Sequence, residues 1–336
     1  MRLPRWLAWL LVVLAFFTAG LLRQFHDSIP RSPYVPAVVG SLLFAAIVFL
    51  GLVAARERQV GAVRYKGVRL GSLTPLLLML LVEKWVSIAL YNPTFYFIGS
   101  ENVSPALLDA KYRTFAGAGL LAVCLLLAAF SKPAARRTWR VARTRHIPIA
   151  VVATTLVIAG TYGLLWAGLA WTGRPARLWF PTLDSLVLWI LVGQAFRAFA
   201  EEIYYRGLLL AEMQRLAPRL GVSNVAARRW VALGFTSVLF GMEHLYLAGS
   251  MEETIRRLIF TVSLGLLFGL IVLMSVNIYL AVGLHTWMNW LLLSAAPRFT
   301  GDAGDSMLAP GVYIGVALML MFGLILAAGP RLRSDR

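Results

Sequence analysis

Glu201 and Glu202 are adjacent carboxylates in the apolar run AFAEEIYYRGLLLAE, with Arg197 four residues before the first and Arg206 four after the second. Further along, FGMEH ends on His244, and HTWMN opens on His285 and closes on Asn289. These residue types suit amide hydrolysis. A carboxylate shielded from bulk water can serve as general base toward a trapped water. One histidine can hold that water or protonate the leaving amine. A second histidine and an asparagine can donate hydrogen bonds to the oxyanion of the tetrahedral intermediate. Glutamate and histidine can equally ligate a zinc ion whose bound water a carboxylate then activates, and spacing does not choose between the two versions.

A plainer reading competes with both. Residues four apart share a helix face, so Arg197 can meet Glu201 and Arg206 can meet Glu202 as local ion pairs that make a polar helix insertable. The same count puts His285 and Asn289 on one face. An ionisable group at membrane depth costs several kcal/mol, so each invites a functional hypothesis. Two histidines and an asparagine beside paired glutamates, with apolar residues nearly everywhere else, favour chemistry over ion pairing alone. Other intramembrane protease signatures are missing: there is no HExxH, no GxSG and no GxGD. TGDAGD, from Thr300 to Asp305, comes nearest to the last and reads as a turn in an outer loop.

The elements that must position these residues are membrane helices. The chain has 336 residues, 60% of them hydrophobic and 14% charged, with a mean hydropathy of +0.75. That composition excludes a soluble enzyme and predicts an all-α, polytopic transmembrane helix bundle of about 8–10 spans. The segments with enough apolar residues run approximately over 6–22, 35–55, 73–90, 115–130, 147–171, 183–206 and beyond, 230–248, 258–274, 278–296 and 312–328. The amino-terminal segment resembles a signal peptide but lacks a small-x-small cleavage site, and it reads as a retained first span.

The net charge of +17 raises nucleic acid as a partner, but the arginines fall in short gaps between apolar runs, where lipid headgroups are the simpler partner. Basic residues accumulate on alternate sides: Arg2 and Arg5, then Arg56 to Arg69, Lys132 to Arg145, Arg215 to Arg229, and Arg331 to Arg336. Both termini are therefore expected in the cytoplasm of a cell whose inner membrane holds the protein. Cys124 is the only cysteine, so no intrachain disulfide or thiolate metal cluster is possible. Glu243 and the Glu83 to Lys84 pair acquire no role and read as structural.

The three motifs in order, EEIYYR, FGMEH and HTWMN, resemble the CAAX protease and bacteriocin-processing family, also called Abi. It includes the type II CAAX prenyl endopeptidases and has the pattern EExxxR, FxxxH and HxxxN on successive membrane helices. The resemblance covers 183–296 as a protease core, leaving 1–182 as helices of unassigned role and 297–336 as a last helix with a basic tail. It implies Glu201 as the water-activating base, His244 assisting at that water, and His285 with Asn289 as oxyanion donors. Glu202, Arg206 and Arg197 would support them. Zinc, if used, would sit on Glu201, His244 and His285. The implied partner is a membrane-anchored or membrane-spanning protein substrate met in the lipid bilayer. A scaffold or immunity protein is the alternative, and a transporter a more distant one, because no paired repeats or Gly/Pro-broken helices accompany the charges.

Helix rise sets a geometric condition. At 1.5 Å per residue, His244 lies about 21 Å from Trp230 and His285 about 12 Å from Asn277. A glutamate that serves both must lie near mid-membrane. Segment six is therefore expected to stay helical to about Met213 and to keep Arg206 inside the protein.

Overall fold

The computed structural model describes residues 2–12, 68–69, 73, 75–82, 105–127, 132–174, 176–244, 250–293, 295–301 and 307–332. The expected second span, most of the first, and Glu83 with Lys84 lie outside them. The architecture is all-α, with four strands of two or three residues each among the described elements. Three described helices are long and apolar enough to cross a membrane: His146–Trp171, Met251–Ser275 and Pro310–Ala328. The helices that carry the motif residues are shorter or more polar. Ile278–Leu292 has only 15 residues, ending before the expected Ala296, and is about 22 Å long.

Polar residues fix where these helices begin. The Asn224 side chain accepts from the backbone N–H of Ala226 and Ala227 at the start of Val225–Glu243, and Asn277 accepts from Tyr279 at the start of Ile278–Leu292. Asp184 does the same for Val187 before Ser185–Glu202. Each satisfies an N–H that the helix itself leaves open. His146–Trp171 stops at Gly173, whose φ of 66° lets the Gly173 and Arg174 N–H groups bond back to Ala170 and Leu169.

The chain divides into two compact units. The second comprises Thr94–Leu121, Arg140–Glu202 and Leu270–Arg336. In it Ile278–Leu292 packs on Ser185–Glu202 and on His146–Trp171, and Pro310–Leu332 packs on His146–Trp171. The contacts of Ile278–Leu292 with Ser185–Glu202 run in opposite directions along the two rods. Trp290 Nε1 donates to the Leu191 carbonyl at 3.0 Å, and the Tyr279 ring lies 5.8 Å from that of Phe199. The two helices are therefore antiparallel neighbours. The start of Ile278–Leu292 is tied by Asn277 Nδ2 to the His146 carbonyl at 3.3 Å and by the Tyr279 hydroxyl to the Ala142 carbonyl at 2.9 Å. Beyond the other end, Arg298–Thr300, which follows Ile278–Leu292, pairs antiparallel with Arg177–Trp179, which follows His146–Trp171.

The first unit comprises Met1–Pro93, Ala122–Trp139 and Ile203–Gly269. Its strands Arg2–Leu3 and Val68–Arg69 are also antiparallel partners, with Arg2 opposite Arg69. Ile203–Leu209 is a π-helix and Leu210–Leu216 returns to α-helix, so the chain is helical from Ser185 to Leu216 and passes Met213 as expected. The π segment and Leu210–Leu216 both pack on Val225–Glu243. Gly265, on Met251–Ser275, admits a close crossing: a Cβ there would lie 3.0 Å from the Ser237 Cα, which is backbone and cannot yield cheaply.

Candidate active site

Glu201 and Glu202 end an α-helix whose last turn is buried. Glu201 is 7% exposed, Glu202 0% and His285 4%. Arg197 Nε donates to Glu201 Oε1 at 2.7 Å, so the i,i+4 ion pair expected from spacing is made. The facing helix supplies His285. Its Nδ1–H donates to Glu202 Oε1 at 2.8 Å, and its Nε2 lies 3.6 Å from Glu201 Oε2. One imidazole thus stands between two carboxylates, and the antiparallel packing of the two helices brings it there. Asn289 follows one helical turn later on the same face, half-buried.

This arrangement orders the chemistry of the ring. An ionised carboxylate only accepts, so the proton on Nδ1 is fixed by Glu202, and Nε2 is the nitrogen left toward Glu201. Nε2 donates only when the ring also carries its second proton. Glu201 differs from Glu202 in its partners: one oxygen is engaged by Arg197, and the other is the oxygen nearest His285 Nε2. Burial makes each of these hydrogen bonds worth more than it would be in water.

Arg206 and His244 belong to the first unit. Arg206 is 5% exposed, as expected of a residue kept inside the protein. Its guanidinium lies 4.4 Å from the centroid of Phe240, 5.5 Å from Tyr205 and 5.6 Å from Phe268, and its Nη2 reaches the Gly265 carbonyl at 3.4 Å. Three rings and a carbonyl form this cradle. The four-residue step from Glu202 to Arg206 runs from the end of the α-helix into the π segment. His244 caps Val225–Glu243, and its Nδ1–H donates to the Phe240 carbonyl at 2.7 Å.

Sequence reasoning assigned no role to Glu243 or Tyr205, yet the Tyr205 hydroxyl donates to the Glu243 carboxylate, and both are buried. The available signal was a carboxylate inside an apolar helix, which cannot be left there without a partner. Among the described residues, no group of three or more His, Cys, Asp or Glu side chains is arranged to hold a metal ion.

The fold and these buried groups define a helical membrane protein with two carboxylates held around one imidazole. Residues 182–291 match the family model described as Type II CAAX prenyl endopeptidase Rce1-like. That stretch spans about a third of the 336 residues and holds all three motifs. No curated protein matches the chain, and no solved structure does.

Proposed function

We propose that the protein is an intramembrane endopeptidase that hydrolyses a peptide bond of a membrane-anchored or membrane-spanning protein. The observation that carries this reading is His285 held between Glu201 and Glu202 within the Rce1-like stretch. Glu201 takes a proton from water, and the resulting hydroxide attacks the scissile carbonyl carbon. The carbonyl oxygen becomes the oxyanion, which accepts hydrogen bonds from the Asn289 carboxamide and from His285 Nε2–H, the ring carrying both of its protons at this step. Collapse of the intermediate breaks the C–N bond, and the leaving amine takes up the proton that Glu201 received. His244 assists at the water, the role that the resemblance of FGMEH to the family's second motif implies.

Arg197 and Glu202 are positioning residues in this scheme. Arg197 holds one oxygen of Glu201, and Glu202 fixes which nitrogen of His285 faces it. Arg206 supports FGMEH through the Phe240 ring. Every step uses side chains of the chain itself. A zinc version on Glu201, His244 and His285 would instead predict loss of processing on chelation and recovery with added zinc.

The test is comparative membrane proteomics of wild type and Glu201→Gln at equal expression. One or more membrane proteins should accumulate unprocessed in the variant, and expression of wild type should restore them. Full processing by Glu201→Gln would reject the role of Glu201, and a scaffold would tolerate loss of His285 and Asn289 together.

A further inference from the structure

We infer that Tyr205 and Glu243 are a positioning pair for His244. The inference rests on the endopeptidase reading only for the part His244 plays in the reaction. Glu243 is the last residue of Val225–Glu243, and His244 is the C-cap, with φ −98° and ψ 3°. The imidazole therefore projects from a helix end, where the last carbonyls lack intrahelical partners and the backbone is freest to fray.

Two neighbouring residues of the π segment hold that end. The Tyr205 hydroxyl donates to the Glu243 carboxylate, which ties the last helical residue to Ile203–Leu209. The Arg206 guanidinium stacks on Phe240 at 4.4 Å, which ties the preceding turn to the same segment. The Phe240 ring in turn lies 4.3 Å from the His244 imidazole, tilted 39° to it. Phe240, Glu243 and His244 thus form one terminal turn, fastened at two of its three members. Tyr205 packs edge-on against Phe240 as well, with ring centroids 5.2 Å apart and planes at 89°.

The turn so held decides the protonation pattern of His244. Its Nδ1 lies 2.7 Å from the Phe240 carbonyl, which can only accept, so the proton is on Nδ1. Nε2 is the nitrogen left to exchange a proton with water or an amine. If the last turn unwinds, the Phe240 carbonyl moves away and the tautomer is no longer fixed. Burial of both Tyr205 and Glu243 makes their hydrogen bond costly to leave unmade, because an unpaired buried carboxylate bears the full desolvation penalty.

Histidine-selective 15N labelling tests this directly, because the chain contains only four histidines and each can be assigned by substitution. The full chain in lipid vesicles is compared by solid-state NMR as wild type, Tyr205→Phe, Glu243→Ala and Glu243→Gln. Wild-type His244 should show the Nδ1–H tautomer. Tyr205→Phe, which keeps ring and volume, and Glu243→Ala should each give mixed tautomers. Glu243→Gln should restore the wild-type signal, because its carboxamide oxygen still accepts from Tyr205. With a processed substrate, Tyr205→Phe should lower kcat roughly tenfold to a hundredfold at unchanged KM, the range expected for a small misplacement of a reacting group. Identical His244 signals in all four proteins, or a wild-type His244 protonated at Nε2 alone, would overturn the inference. The ring signal needs no substrate, whereas failure of the endopeptidase reading appears as absence of processing by wild type.

Discussion

His285 and Glu202 are joined at 2.8 Å through Nδ1, across two helices and 83 positions of sequence, while the other nitrogen of the same ring faces Glu201 at 3.6 Å. The two glutamates are therefore unequal, one orienting the ring and one lying beyond it. Glu201→Gln should slow processing by about 100- to 10,000-fold, the usual worth of a general base. Glu202→Gln keeps an oxygen to accept from Nδ1–H and should lose about tenfold, whereas Glu202→Leu should lose as much as removing an oxyanion donor, about 100- to 1,000-fold. Processing rates at matched membrane levels check this order; a larger loss from Glu202→Gln than from Glu201→Gln would exchange the two roles.

Arg206 combines a planar charge with three rings and the Gly265 carbonyl. Lysine carries the charge but cannot stack, so Arg206→Lys should retain only part of the stability. Arg206→Ala leaves a cavity among the rings and should cost about 3 kcal/mol or more. Thermal unfolding of the detergent-solubilised full chain reads both, and equal stability of the lysine variant and wild type would show that stacking contributes nothing.

Val276 has φ 56° in the two-residue link between Met251–Ser275 and Ile278–Leu292. A β-branched residue in the left-handed region is strained by about 1–3 kcal/mol, and glycine is not. The turn is held by Ser275 Oγ, which donates to the Ile271 carbonyl at 2.6 Å and accepts from the Asn277 N–H at 3.1 Å. Because Val276 is half-buried, little packing is lost on its removal. Val276→Gly should raise stability by about 1 kcal/mol, after allowing for the extra freedom of glycine in the unfolded chain. A lower unfolding temperature in the variant would contradict the strain.

Gly265→Ala should act in the opposite direction. Its Cβ would press on the Ser237 backbone, and relief requires the two helices to part. Overpacking of this kind costs about 1–3 kcal/mol. The Gly265 carbonyl that meets Arg206 would move with the helix, so the variant should also weaken the effect of Arg206→Ala. A double-mutant cycle measures that coupling, and strict additivity would show the two sites to be independent.

Hydropathy made some elements legible to within a residue or two and others not at all. His146–Trp171 follows its apolar run almost to the residue, because no Asp, Glu, Lys or Arg interrupts it. The apolar run after Ile278 continues to Ala296, but the helix ends at Leu292, where the Asn289 and Trp290 carbonyls accept from the Leu293 and Ala295 N–H groups. The ion pair of Arg197 with Glu201 was readable because four-residue spacing within one α-helix is a local property. The π segment was not, since IYYRGLL has no composition that distinguishes a wide turn from an α-helix. Glu202 with His285, and Tyr205 with Glu243, depend on how separate helices register against each other. Spacing alone carries no information about that; His285 stood out as an imidazole at membrane depth four residues before Asn289, and through the resemblance of the motifs.

The helix that carries His285 is fastened at both ends: Asn277 and Tyr279 hold its beginning, and Trp290 holds its last turn. A rod so secured resists swinging, and a group in its middle inherits that stiffness. Should the protein have to gape to admit a long polypeptide, this helix is the doorframe, and the leaf that turns must be one of the less tethered parts of the chain.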